Sequence, residues 1–288
     1  MTILITGADG AIGKELSSLL IKSKFDTILH TRRKSKKNLK NYFFCNDLSK
    51  KINLKNKPIT IIHCAGTNKD SFRLNKKVKF KKNLKITKNL INFSNQHDVK
   101  NFIFLSSIDV YGKKKKLDIS ENFTGESINF YGKAKLASEK ALCNKSNKFT
   151  ATCLRLPGIL TKSQSNQKPH LRQIIDKMKK KKLIEIYNPD SLFNNIMDVP
   201  EIFKIIKILI KRKINKSNIY NLSASQPLKF SKIIKIIKNK TKYEKKIIIK
   251  DTKEKSFTIS NIKLKKIYGI NISTTEKIIK RFLNTGLI

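Results

Sequence analysis

The sequence predicts an α/β fold built on a doubly wound parallel sheet, with a smaller C-terminal α/β portion. Three observations predict it. Short, near-continuous apolar runs alternate with helical periodicities through residues 1–157. A glycine-spaced turn directly follows the first apolar run. After Pro157 the alternation gives way to shorter, mixed elements, so 158–288 reads as a mainly substrate-binding portion from which the chain can cross back to the first domain.

Taken in order, "TILIT" (2–6) is a first strand, and "GADGAIG" (7–13) turns into a helix with Ile12, Leu16, Leu19 and Leu20 at helical spacing. "DTILHT" (26–31), "NYFFCND" (41–47) and "ITIIHCAG" (59–66) are the second, third and fourth strands. Residues 82–97 read as a helix with Leu84, Leu90, Ile91 and Phe93 on its apolar side, and "NFIFLSS" (101–107) as a fifth strand. A loop to about residue 129 precedes a helix over 130–142, and "FTATCLRL" (149–156) is a sixth strand. The runs are apolar on both alternating faces, which suits a parallel sheet covered by helices on both sides. Beyond Pro157 come a polar loop (161–170), a basic helix, a strand near 183–187, and "SLFNNIMDVPEIFKIIKILI", a turn entering a helix. "IYNLSASQPLKFSKIIKII" is a strand, a turn and a helix, and "TTEKIIKRFLN" a capped amphipathic C-terminal helix.

The 288 residues are 39% hydrophobic and include no apolar run of transmembrane length. The opening residues already read as a strand, so no signal peptide and a cytoplasmic location are expected. Cys45, Cys64, Cys143 and Cys153 show no C-x-x-C spacing, which points to reduced thiols and no metal site. The net charge of +44 raises the prospect of a polyanion partner. Yet only seven of the 64 basic residues are arginine, and the lysines lie on most helix faces without interleaved aromatic platforms. Weak, salt-sensitive polyanion binding is expected, and a specific nucleic-acid partner is not.

Gly7, Gly10 and Gly13 permit a tight turn, close backbone approach to a pyrophosphate, and tight helix–sheet packing. The amides at Ala11 and Ile12 then open a helix whose N-terminus favours phosphate. This loop, after a first strand, predicts a Rossmann-type NAD(P) site. The end of the second strand lacks the acid that receives a ribose hydroxyl. His30 and Thr31 stand there instead, followed by Arg32 and Arg33, which suits a 2′-phosphate, so NADP is favoured, with NAD possible.

The frame Tyr-x-x-x-Lys occurs twice, at Tyr111/Lys115 and Tyr131/Lys135. Only the second lies in a segment with helical apolar periodicity, which puts both side chains on one face. Tyr131 is therefore the expected acid/base, with Lys135 lowering its pKa together with an oxidised nicotinamide. Ser107, at the C-terminal end of the fifth strand, is placed to hold the substrate oxygen. Tyr111 reads as a packing residue.

With these residues in view, the chain resembles the extended short-chain dehydrogenase/reductase family, which includes NAD(P)-dependent nucleotide-sugar epimerases, dehydratases and reductases. The resemblance spans nearly the whole sequence. "TGADGAIG" resembles the cofactor loop, "FLSSIDVYG" the catalytic serine motif and "YGKAK" the tyrosine–lysine motif. "CNDL" implies that Asp47 and Leu48 lie near the adenine. "HCAG" implies that Cys64, Ala65 and Gly66 line the cofactor, and "NLKIT" implies the same of Asn83. "LRLPGI" implies that Pro157 passes the nicotinamide. The 4,6-dehydratases carry an Asp-Glu pair where this chain has Ile108-Asp109, so dehydration is not expected. Galactose epimerases usually have an acid after the second strand and an asparagine where Gly158 falls. "FNNIMDV" departs from an arginine and histidine found in many relatives.

The sequence thus predicts an NADP(H)-dependent reductase of a nucleotide-linked sugar acting through Ser107, Tyr131 and Lys135. A nucleotide-sugar 4-epimerase without net redox uses the same residues, and a non-catalytic cofactor- or RNA-binding protein is the alternative of another class. A nucleotide-sugar partner, no membrane partner and a possible homodimer complete the expectation.

Overall fold

The computed structural model describes residues 1–32, 42–45, 47–54, 56–67, 74–113, 118–163, 168–212, 214–250, 252 and 256–285. Its elements in chain order begin β1 (Thr2–Thr6), α1 (Ala11–Lys22), β2 (Asp26–Thr31), β3 (Tyr42–Cys45), β4 (Thr60–His63), α2 (Lys76–Gln96) and β5 (Asn101–Ser107). A 3-10 turn (Ile108–Tyr111), β6 (Asp118–Ile119), α3 (Phe130–Leu142), β7 (Thr150–Leu156), β8 (Gly158–Leu160), α4 (His170–Lys179) and β9 (Ile184–Tyr187) follow. The remainder is β10 (Leu192–Phe193), β11 (Ile196–Asp198), α5 (Val199–Lys211), β12 (Asn218–Asn221), β13 (Leu228–Lys229), α6 (Phe230–Thr241), β14 (Ile247–Lys250), β15 (Thr258–Ile259), α7 (Ile262–Tyr268) and α8 (Thr275–Leu283).

The chain divides into two compact units. The first comprises Met1–Lys113, Thr124–Arg155 and Ile202–Tyr220, and the second Lys114–Phe123, Leu156–Glu201 and Asn221–Ile288. A seven-stranded sheet runs in the order β12-β7-β5-β4-β1-β2-β3. The pairs β1–β2, β1–β4, β2–β3 and β4–β5 are all parallel. Successive strands therefore diverge on either side of the β1–β4 junction, and the loops after these two strands flank the crevice where ligands bind in open α/β sheets. Leu4, Ile28, Ile61 and Phe102 share a core with Leu90 and Phe93 of α2 and Leu142 of α3. Their neighbours in the strands, Ile3, Ile5 and Ile62, are equally buried, so both faces are covered as the continuous apolar runs require.

The sequence reading of 130–142 as a helix coincides with α3. Helix α2, by contrast, begins at Lys76, ahead of the 82–97 expected. Its early turns carry Lys76, Lys77 and Lys81 exposed to solvent, so they offer no apolar stripe to read. The loop expected before 129 contains the 3-10 turn and β6, both too short for a periodic signal.

In the second unit, short pairs β8–β11, β9–β14 and β6–β15 are parallel, and β10–β13 is antiparallel. The expected turn at "FNNIMDV" holds β10 and β11, and its polar residues are consumed by the fold. Asn194 donates to the Ala224 and Ile259 carbonyls and accepts from the Ile259 amide, while Asp198 and Glu201 receive Arg281 of α8. The cap of α8 is Thr274, whose hydroxyl accepts from the Lys277 amide, as the Ser/Thr cluster predicts. Among the described residues no helix is long and apolar enough to cross a membrane.

One buried ion pair fixes α3. Arg155 of β7 forks onto Glu139, with Nε–Oε1 at 3.1 Å and Nη2–Oε2 at 2.8 Å. Ser106 also donates to Glu139, and Arg155 Nη1 donates to the hydroxyl of fully buried Tyr111 at 2.9 Å. Tyr111 is thus a packing residue, as expected, with a polar anchor that its own sequence neighbourhood does not reveal. Breaking a buried pair on one side leaves an uncompensated charge. Arg155→Leu is expected to lower unfolding free energy by about 3–5 kcal/mol in urea titrations, and Arg155→Leu/Glu139→Leu to lose less than that single variant.

Candidate active site

Tyr131, Lys135 and Glu139 recur every fourth residue along α3 and so share one helix face. The last three residues of β5 meet them one for one. Lys135 Nζ donates to the Leu105 carbonyl at 2.7 Å, Ser106 donates to Glu139, and the Ser107 side chain acts on the Tyr131 phenol in the direction that lowers its pKa. The entry of α3 is held just as firmly. Asn129 is its N-cap and accepts from the Gly132 amide at 2.7 Å. A Cβ on Gly132 would stand 2.2 Å from the Asp109 carbonyl oxygen, so only glycine lets the helix approach the 3-10 turn this closely.

The electrostatics follow from burial. The Tyr131 phenol is pushed well above the usual tyrosine value, first by burial, then by the Asp109 carboxylate, with Ser107 opposing. Burial draws the Lys135 ammonium down to about 8, against the opposing pull of Cys64 and Glu139. Lys135 sits 4.6 Å above the Phe104 ring and 5.8 Å from that of Tyr131. The expectation that Lys135 lowers the tyrosine pKa is therefore not met by these residues alone. The lysine is turned onto the Leu105 carbonyl, and Asp109 and burial dominate the phenol.

The expected cofactor residues of the first unit surround the same crevice. Gly7 has φ +69°, and a Cβ there would fall 2.9 Å from Ala65, so the loop after β1 packs on the segment after β4. The Ala65 amide donates to the Thr6 hydroxyl, and Thr67, next to Gly66, donates its amide to Asn83 at 2.9 Å. Ala65, Asn83, Tyr131 and Lys135 line one small cavity with His63 and Phe104. Burial raises the neighbouring Cys64 thiol to about 12, which leaves it inert. Helix α1 starts at Ala11 and Ile12 behind a Gly10 cap with no side-chain bond and no acid in the first turn, and Gly13 is buried. That combination suits a phosphate, since first-turn amides are left without side-chain competitors.

The residues expected beside the adenine are ordered differently. Asp47 lies beyond the end of β3, and its carboxyl is held down to about 2, chiefly by the Ser49 amide and hydroxyl and then by Lys82 at 3.4 Å. Leu48 is buried. Arg32 is exposed directly after β2, while His30 and Thr31 are buried within it. Arg33 lies outside the described residues, as does Lys115 of the first Tyr-x-x-x-Lys frame. Pro157 is buried and belongs to the second unit. Among the described residues there is no cluster of His, Cys, Asp and Glu able to hold a metal ion.

Sequence reasoning missed two polar groups. Asp109 accepts from the Ser107 hydroxyl at 3.1 Å, and an asparagine immediately before a helix is a recognisable cap signal at Asn129. It also missed a buried chain in which Thr6 bonds His63 Nδ1 at 2.8 Å and Thr87 bonds Ser138 at 3.0 Å. His63 is held neutral by burial and then by the Lys135 charge.

Comparison with known proteins places this geometry in context. A family model described as the NAD dependent epimerase/dehydratase family matches residues 3–223. A Methanocaldococcus jannaschii protein named "Putative UDP-glucose 4-epimerase" is 25% identical over 251 residues, 82% of this chain and 81% of its own. Among solved structures, UDP-glucose 4-epimerase of Thermotoga maritima with UDP-glucose superposes with a TM-score of 0.81 at 19% identity, covering 98% of this chain and 97% of that one. RMD from Pseudomonas aeruginosa complexed with NADPH gives 0.77 at 20% identity, covering 98% of each. These two likenesses bear on the fold.

Lys135 also makes a stability prediction. Its native value of about 8 lies below the ordinary 10.5, so between these values the unfolded chain holds a proton that the native chain has released. Stability contributed by this residue therefore rises with pH across that window. Urea titrations at pH 8 and pH 10 are expected to show that Lys135→Met gains stability relative to wild type at the lower pH and loses that advantage at the higher.

Proposed function

This chain belongs to the NAD-dependent epimerase/dehydratase family, and on that premise we propose that it is an NADP(H)-dependent reductase of a nucleotide-linked sugar. The observation that carries the reading is the convergence of Ser107, Tyr131 and Lys135 on the end of β5, beside the glycine loop after β1. A bound nicotinamide would supply the hydride to a sugar carbonyl carbon. The first-turn amides of α1 would hold the pyrophosphate, and Ala65, Gly66 and Asn83 would line the remainder of the crevice. Tyr131 gives the proton to the sugar oxygen, and Ser107 orients that oxygen. Lys135 supplies a positive charge that stabilises negative charge left on the phenol once the proton has gone. The preference for NADP rests on exposed Arg32 after β2 and on the absence of any acid from residue 27 to residue 46.

Epimerisation at sugar C4 is the second reading, favoured by the name of the M. jannaschii relative. The two readings part on stoichiometry, because a reductase consumes one NADPH per turnover and an epimerase consumes none. A cytoplasmic homodimer without a specific nucleic-acid partner belongs to the same proposal.

Purified protein screened against nucleotide sugars is expected to oxidise NADPH stoichiometrically, and turnover without NADPH loss would favour the epimerase. Tyr131→Phe is expected to lower kcat by about 10²–10⁴-fold with cofactor affinity retained. Arg32→Glu is expected to weaken NADPH binding while sparing NADH, measured by fluorescence titration.

A further inference from the structure

The segment Ala65–Thr67, just after β4, is fastened at both ends. The Ala65 amide donates to the Thr6 hydroxyl at 3.1 Å. At the other end Asn83 grips Thr67 twice. Its Oδ1 accepts from the Thr67 amide at 2.9 Å, and its Nδ2 donates to the Thr67 hydroxyl. His63 stands between the two fastenings. Its Nδ1 lies 2.8 Å from the Thr6 hydroxyl, and its Nε2 lies 3.4 Å from the hydroxyl of Thr87, one turn along α2 from Asn83. The imidazole is stacked on Phe104, with 5.3 Å between ring centroids, and meets Phe102 edge-on. Thr6, His63, Thr87 and Ser138 are all buried, so water does not stand in for a missing partner.

Counting protons gives each bond a direction. A threonine hydroxyl has one proton and two lone pairs. Thr87 faces three groups: the Asn83 carbonyl at 3.2 Å, Ser138 Oγ at 3.0 Å, and His63 Nε2. The carbonyl only accepts, so it takes the Thr87 proton, and the two lone pairs receive from Ser138 and from His63 Nε2–H. Thr6 faces the Ala65 amide, which only donates, and His63 Nδ1. The Thr6 proton therefore goes to a bare Nδ1. Both sides of the ring require the same neutral form, with its proton on Nε2. An imidazolium would donate at Nδ1 as well and leave the Thr6 proton without an acceptor. We propose that His63, in this Nε2–H form, is a positioning residue that joins the two fastenings into one circuit. Thr6 and Thr87 then set the shape of Ala65–Thr67 together, before a cofactor arrives. This rests on the assignment of that segment to the cofactor crevice and deepens it, because it names what holds the segment in shape. His63, Thr87 and Ser138 line the same small cavity as Tyr131 and Lys135, so the circuit also reaches the face of α3 that carries them.

The test needs neither substrate nor cofactor, so its outcome is separate from that of the reductase reading. In protein labelled with 15N-histidine, NMR is expected to show His63 with a bare Nδ1 and a protonated Nε2. The opposite tautomer would overturn the proposal. Thr87→Val removes the acceptor for Nε2–H and leaves the bond from Ala65 to Thr6 in place. It is nevertheless expected to speed hydrogen exchange at the Ala65 amide by about tenfold, because the two threonines share one partner. Thr6→Val is expected to do the same at the Thr67 amide. In a His63→Phe background neither threonine variant is expected to add anything at the remote amide. Unchanged exchange at Ala65 in Thr87→Val would sink the coupling. An equal acceleration at the amides of β7 would sink it too, since that would be general loosening rather than a circuit. Should His63→Phe fail to fold, the tautomer and the two threonine variants decide the matter in the presence of His63.

Discussion

The buried pairing of Arg155 with Glu139 is the contact on which the candidate site depends. Side-chain chemistry at Tyr131 and Lys135 needs α3 held in one rotation and one register against β5. Apolar packing alone tolerates small slides of a helix along a sheet, whereas a forked guanidinium–carboxylate bond does not. With Glu139 locked by Arg155 and Ser106, residues four and eight positions earlier on the same face are delivered to Leu105 and Ser107. A buried pair of this kind contributes little net stability relative to apolar residues of similar volume, so its use here is best understood as geometric. Tyr111 extends the lock by fixing the start of the segment between β5 and α3 to the same arginine.

The use of charge across the chain follows the same division of labour. Arg155, Arg172 and Arg281 each make forked or stacked internal contacts, to Glu139, to Asp176 and Phe282, and to Asp198 with Glu201. Several of the 20 acids are spent on these pairs or on backbone amides, as at Asp47 and Asp109. What faces solvent is largely lysine, whose long stem and compact ammonium suit a solvated surface. The +44 charge is thus concentrated outside, while the interior holds matched partners.

The sheet and the helix that carries Tyr131 were legible in the sequence because their signal is local. β1 to β5 and β7 are continuous apolar runs, and α3 alternates apolar and polar residues at helical spacing around Tyr131 but not around Tyr111. That local contrast was sufficient to choose between the two Tyr-x-x-x-Lys frames as helical. The start of α2 was not legible, because its first turns are exposed lysine, nor were short strands such as β6 and β15, which exist only by pairing across a long stretch of chain. The polar residues of "FNNIMDV" show the same limit. Asn194 and Asp198 look available in one dimension, yet their partners lie at Ile259 and Arg281.

Burial acts on Tyr131 and Lys135 in opposite senses on the pKa scale but toward one end, the neutral form of each. The residues around them then decide how far each goes. Glu139 draws Lys135 back toward its charged form. Asp109 does the reverse for the tyrosine, adding to the effect of burial and keeping the phenol intact. The glycine of "YGK" at 132 lets α3 come against the backbone carbonyl of that same aspartate.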